Sequence, residues 1–164
     1  FVMGCNTTNS FMRLTPDYSD LPAAELRTLA DEVEVLVSGE DGDRLLATST
    51  AIVVDTPAMK QAIRTRAIRH PLISELLDTG FAEELGNGLI EIKRSRAYKA
   101  ATTTRQRDRE ALLVMSENEN RWALYEGLVK ANGWRPNSLS AIQETFFKAR
   151  VPLLKAGQLH APVE

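Results

Sequence analysis

Apolar residues fall at helical spacing over most of this chain, and the polar residues between them mark where each helix starts and stops. Leu26, Leu29, Val33 and Leu36 predict a first helix reaching Ser38-Gly39, with Asp20 or Ser19 as its cap and Pro22 in its first turn. Its other face carries Glu25, Asp31, Glu32 and Glu34, read as a solvated acidic face. Thr56-Pro57 predicts a second start, followed by Met59, Ile63 and Ala67, with Lys60, Arg64, Arg66 and Arg69 making the remaining surface basic. His70-Pro71 is expected to break or kink that helix, leaving a short second piece over residues 72–77 that ends at Gly80. A long helix is expected from about Arg105 to Asn132, with Leu112, Leu113 and Met115 entering the core and Asn132-Gly133 as its stop. Ser138 is expected to cap a last helix through Leu139, Ile142, Phe146 and Ala149, bent at Val151-Pro152 and closed by residues 153–157.

Extended structure has little support. Residues 51–54 (Ala-Ile-Val-Val) are consistent with a small strand, and Asn87-Gly88 predicts a tight turn leading into a short extended segment at Leu89, Ile90 and Ile92. The expected fold class is mainly α: a small domain of about four to five helices with one short extended segment or hairpin. Residues 1–20 read as a leader remnant and linker, 21–158 as one helical domain, and 159–164 as a ragged tail.

Composition changes this picture only slightly. At 164 residues, 43% hydrophobic and 26% charged, the chain fits one soluble domain. Its formal net charge of -2 gives no overall pull toward nucleic acid. The lone Cys5 rules out an intrachain disulfide or a cysteine-based metal cluster. His70 and His160 lie too far apart in sequence to suggest a ligand pair. Glu40-Asp41-Gly42-Asp43 lacks the alternating ligands and closing Glu of a calcium loop. No metal and no cofactor are implied.

Four groupings of side chains invite a functional reading. Asn118, Arg121 and Tyr125, at i, i+3 and i+7, share one helix face. They form either a contact stripe for a partner or a hydrogen-bonded seam between helices. Glu84 and Glu91 are a candidate acid–base pair for an enzyme of the cell wall or of lipids. Lys93, Arg94, Arg96, Lys99, Arg105, Arg107 and Arg109 form a basic run, either a solvated loop and helix start or a contact for anionic headgroups or an acidic partner. Finally, helix, connection, helix is also the outline of a helix-turn-helix DNA reader. Here the connection is long and carries Trp134 and Pro136, and the would-be recognition helix offers only Gln143, Lys148 and Arg150 beside Phe146 and Phe147.

Two resemblances point outside the cytoplasm. Phe1-Val2-Met3-Gly4-Cys5 resembles the end of a bacterial lipoprotein signal, in which the cysteine becomes the lipid-bearing residue, and the polar residues 6–10 suit a tether. From about Ile73 to Pro162 the chain resembles the YdbL family of small bacterial envelope proteins. Gly80, Glu84 and Asn87-Gly88 ahead of Leu89 carry the first part of that likeness. Asn118, Arg121, Tyr125 and Asn132 carry the second, and Lys155 and Gly157 the close. Glu83, Ala156 and Leu159 depart from the family pattern. The resemblance implies a non-enzymatic, exported accessory of machinery that moves or organises envelope lipids, without nucleic acid as a partner. Asn6 after the cysteine implies the outer membrane. The contact surface expected on these grounds comprises Asn118, Arg121, Tyr125, Glu84, Asn87 and Gly88.

Overall fold

The structure is a computed structural model and describes residues 21–42 and 51–163. It is mainly helical with a small sheet, as the sequence predicts. In chain order the elements are α1 (Ala23–Ser38), α2 (Pro57–Asp78), β1 (Ala82–Glu84), β2 (Ile90–Ile92), α3 (Arg96–Ala101), α4 (Thr104–Ala131), α5 (Leu139–Arg150) and β3 (Leu159–His160). Helices α2 and α4 are antiparallel neighbours. Arg69 reaches the Ser116 carbonyl, while Leu76 and Thr79 line a groove together with Gln106 and Arg109. Against this pair pack α1 and α5, and the sheet, in the order β2-β1-β3, lies near the middle of α4.

Two apolar clusters result. One joins Leu26, Leu29 and Val33 of α1 to Met59 and Ile63 of α2, Leu124 and Leu128 of α4, and Ile142 and Phe146 of α5. The other joins Ile73, Leu76 and Leu77 to Ala82, Ile90, Ile92, Tyr98 and Val114. Along α2 and along α4, the residues between these two clusters are Arg66 on one helix and Glu117 and Arg121 on the other, and all three are buried. The molecule therefore has a charged waist between two oily halves.

Several local expectations are corrected. Helix α2 runs unbroken through Pro71, because residues on both sides of it are anchored in the core and packing outweighs the lost backbone bond. Pro22 occupies the N-cap position of α1, where its carbonyl accepts from the Leu26 N–H at 2.8 Å. The proposed caps Ser19 and Asp20 lie outside the described residues. Residues 51–54 form no strand. Ile52 and Val54 are buried, and the backbone of Val53 bonds at both its N–H and its carbonyl to the Asn132 amide, at 2.7 and 2.9 Å. Part of the basic run folds as α3, capped by Ser95, whose hydroxyl accepts from the Tyr98 N–H. Ser138 makes no side-chain cap; a 3-10 turn over Pro136–Ser138 leads straight into α5.

The tail is not ragged. β3 adds to β1 in parallel, with Glu83 opposite Leu159 and Glu84 opposite His160, and the Ala161 N–H donates to the Glu84 carbonyl at 2.8 Å. Asn132, besides ending α4, fastens the segment ahead of α2. Asn132→Ala is expected to lower unfolding stability by about 1–2 kcal/mol through the unpaired Val53 backbone groups, measured by urea titration. An unchanged midpoint would show that this latch carries no energy.

Candidate functional site

The charged waist is a closed ring. Arg66 donates to both carboxylate oxygens of Glu34 at 2.9 Å each and through Nε to Glu117 at 2.8 Å. Glu34 also accepts from Arg150 Nη1 at 2.9 Å, and Arg150 Nε donates to Glu84 at 3.1 Å. Glu84 accepts both terminal nitrogens of Arg121, at 2.7 and 2.8 Å, and Arg121 Nε returns to Glu117 at 2.9 Å. Three carboxylates and three guanidiniums thus alternate around one circuit and their formal charges cancel; at its rim the half-buried Arg69 adds a third guanidinium to Glu117, at 3.3 Å.

All six are at most 5% exposed, an environment in which unpaired ions would be very costly. They come from α1, α2, β1, α4 and α5, so the ring ties together the four longest helices and the central strand of the sheet.

The Asn87-Gly88 turn enters the same site. Asn87 Oδ1 accepts from the Leu89 N–H at 3.1 Å, which holds the turn. The Gly88 carbonyl then accepts from Arg150 at 2.7 Å, from the Tyr125 hydroxyl at 2.9 Å and from Arg121 at 3.3 Å. Gly88 has φ +77, and a Cβ there would lie 2.8 Å from the Gln143 carbonyl oxygen, so the position accepts only glycine without strain. Asn118 pairs its amide with both backbone groups of Ile90, at 3.0 and 2.9 Å, satisfying the outer edge of the sheet.

Five of the six expected contact residues therefore do converge, but inward. Tyr125, Arg121, Glu84 and Gly88 are buried, Asn118 is half-buried and spent on β2, and only Asn87 is exposed. The expected contact stripe is a seam inside the fold, because each of its polar groups has an internal partner. Cys5 lies outside the described residues. Glu34 and Arg66 were assigned to solvated faces and are instead core residues. Their phase showed it: Glu34 falls four residues after Ala30, and Arg66 three after Ile63, both on the apolar stripe.

The electrostatics of the ring favour the charged form of Glu84. Burial alone would raise the Glu34, Glu84 and Glu117 carboxyls, but the adjoining guanidiniums outweigh it and hold all three below their usual range. Glu117 is brought down to about 2. A general acid needs the opposite shift. Glu91 is exposed and sits in register with Glu83, so alternation along the strands turns it to the face opposite Glu84; the two carboxylates do not face each other across a cleft. In α5, Gln143 and Arg150 are buried, which leaves the helix-turn-helix outline without two of its three base-reading side chains.

A cavity of about 60 Å³ lies against the ring and is bounded elsewhere by Val37, Ile73, Leu77, His70 and Gln158. That is room for a few waters. Burial pushes the His70 imidazole below its ordinary value and so toward the neutral form. Among the described residues no group of three or more His, Cys, Asp or Glu could hold a metal ion, and no helix is long and apolar enough to cross a membrane.

Glu84→Gln removes one charge from a closed circuit and leaves Arg121 and Arg150 facing a neutral amide. A loss of about 3–5 kcal/mol is expected, whereas Glu126→Gln, in an exposed pair on α4, should leave the urea midpoint in place. Equal effects of the two would refute a structural ring.

Because the three carboxyls titrate lower when folded than when unfolded, their contribution is complete above the unfolded value of 4.5 and is lost as pH falls toward about 2. Stability should therefore be flat around neutrality and drop steeply below about pH 4.5, with a shallower acid slope in Glu117→Gln. A slope unchanged by that substitution would contradict the assignment.

In comparison with known proteins, no protein-family model, no curated protein and no solved structure matches the chain.

Proposed function

We propose that this chain is a non-enzymatic accessory protein of a bacterial cell envelope. In this reading it is lipid-anchored through Cys5, faces the periplasm from the outer membrane, and docks a protein of the envelope or lipid-transport machinery. The observation that carries it is how the side chains are deployed. Glu84 and Arg121, charged residues of the motif that resembles the YdbL family, are spent on each other as internal scaffold. Meanwhile Ile68, Leu72, Leu112 and Met115 stand more than half exposed on the neighbouring helices α2 and α4.

A catalytic site keeps reactive groups available to substrate, whereas this arrangement keeps its ions closed off and its oily side chains outward. The lipoprotein-like start supports the location. Docking then falls to the outer surface of the helices and not to the Asn118, Arg121 and Tyr125 seam.

Two measurements test this. Mass spectrometry of the mature N-terminus from the native host should find a diacylglyceryl group on Cys5. The full chain, immobilised and exposed to detergent-solubilised envelopes, should retain a defined envelope protein. An unlipidated chain recovered from the cytoplasm, or turnover of a wall or lipid substrate that is abolished by Glu84→Gln or Glu91→Gln without loss of fold, would overturn the proposal.

A further inference from the structure

A groove of about 630 Å³ runs between α2 and the first half of α4. Leu76 and Leu113 line it together with the more exposed Leu72 and Leu112, and Arg69, Glu75, Gln106, Arg109, Glu110 and Ser116 supply its polar lining. Ile68, 75% exposed, continues the α2 side one turn beyond Leu72. Met115, 51% exposed, continues the α4 side. Large apolar side chains this exposed, gathered along one groove between two rigid helices, form a surface suited to burial by another molecule.

The charges around its far end are one-sided. Over residues 93–109 there are seven Lys or Arg and one acid, Asp108, in a chain whose formal net charge is -2. Several of these cations are already engaged. Lys93 pairs with Glu83, and Arg107 donates to the Thr102 carbonyl and to Thr104. Arg105 and Arg109 are exposed, lie one turn apart on the α4 stripe that leads to Leu112, and make no ion pair among the described residues. Of the acids nearby, Glu110 accepts from Tyr98 at 2.6 Å and from Gln106 at 3.2 Å, and Glu75 on the α2 wall is exposed. The groove lining thus sets two cations, Arg69 and Arg109, against two acids, Glu75 and Glu110, and the excess positive charge lies at and beyond its α4 N-terminal end, where Arg105 stands one turn before Arg109.

We infer that this groove is a docking site for an amphipathic helix of a partner protein, one whose apolar face carries acidic residues along the flank that meets Arg105 and Arg109. The shape selects a helix: residues at i, i+3, i+4 and i+7 reach a groove between two helices and cover Leu72, Leu76, Leu112 and Leu113, which a flat bilayer surface does not enter. The sign of the free charge selects acidic flanks. The inference rests on the docking function proposed above and supplies its surface and the chemistry of its partner.

The probe is a designed helical peptide of about five turns, with leucines on one face and glutamates flanking them, and a twin with lysines in place of the glutamates. Binding to the full chain is read by fluorescence anisotropy at low and raised salt. The glutamate peptide should bind at least about tenfold more tightly than its twin, weaken with salt, and lose about tenfold against R105E/R109E, which should in turn prefer the lysine twin. Leu72→Gln/Leu112→Gln should weaken both peptides. All four positions are exposed, and circular dichroism of each variant should superimpose on that of the unaltered chain.

Equal affinity for the two peptides, or no reversal in the charge-swapped chain, overturns the inference. So does flotation with phosphatidylglycerol vesicles that tracks Arg105 and Arg109 without peptide binding, or sedimentation showing a dimer that Leu72→Gln/Leu112→Gln dissolves. If R105E/R109E retains the same envelope protein as the unaltered chain, the groove is wrong and the docking function stands. If neither form retains an envelope protein while the peptide preference holds, the envelope reading falls and the groove remains.

Discussion

Six ions buried in one place are stable only because none of them lacks a counter-charge. Placing a carboxylate or a guanidinium in a protein interior costs several kcal/mol per ion, and Glu34, Glu84, Glu117, Arg66, Arg121 and Arg150 are all nearly inaccessible. Alternation around the circuit keeps opposite charges adjacent and like charges apart, and two of the arginine–glutamate contacts are bidentate. The Gly88 carbonyl and the Tyr125 hydroxyl take further guanidinium N–H groups. Burial and pairing work against each other at every member, and pairing wins, as the lowered carboxyl values express.

This constraint explains features that look unrelated. Gly88 must lack a side chain because its carbonyl has to reach the interior alongside Gln143. Asn118 lies one residue after Glu117, so the helix face that builds the ring also meets the sheet edge at Ile90. The sheet itself is only two or three residues wide on each strand, and its role is to deliver Glu84 into the waist and the Asn87-Gly88 turn beneath it. The apolar clusters on either side exclude water and raise the cost of an unmatched charge. In turn, the fixed geometry of six charges selects one alignment of α2 against α4 among those that oily surfaces alone would tolerate.

Much of this was legible in the residues. Helical phase located α1, α4 and α5 to within a few positions, and Asn87-Gly88 marked the turn. The i, i+3, i+7 spacing of Asn118, Arg121 and Tyr125 found the centre of the site, although spacing alone left open whether the stripe looked inward or outward. For Glu34 and Arg66 the physical reason is that charge is a poor sign of exposure when a distant counter-charge is available. Glu34 and Arg66 keep phase with their apolar neighbours, and partners 32 to 116 residues apart in sequence make that burial tolerable. Such long-range pairing has no local signature. Pro71 misled for a related reason, since its cost is local while the packing that offsets it comes from a distant helix. The tail was hidden because a two-residue strand acquires its identity from the edge it joins.

The order of the ring along the chain has a consequence for biosynthesis. Glu34 leaves the ribosome first and Arg150 last, and the sheet is completed only by His160. A nascent chain that stops short of α5 holds two acids with an empty place between them, so an early collapsed form carries an electrostatic fault. Closure of the ring therefore waits for α5, and a chain cut before it leaves Glu34 and Glu84 without the cation that sits between them.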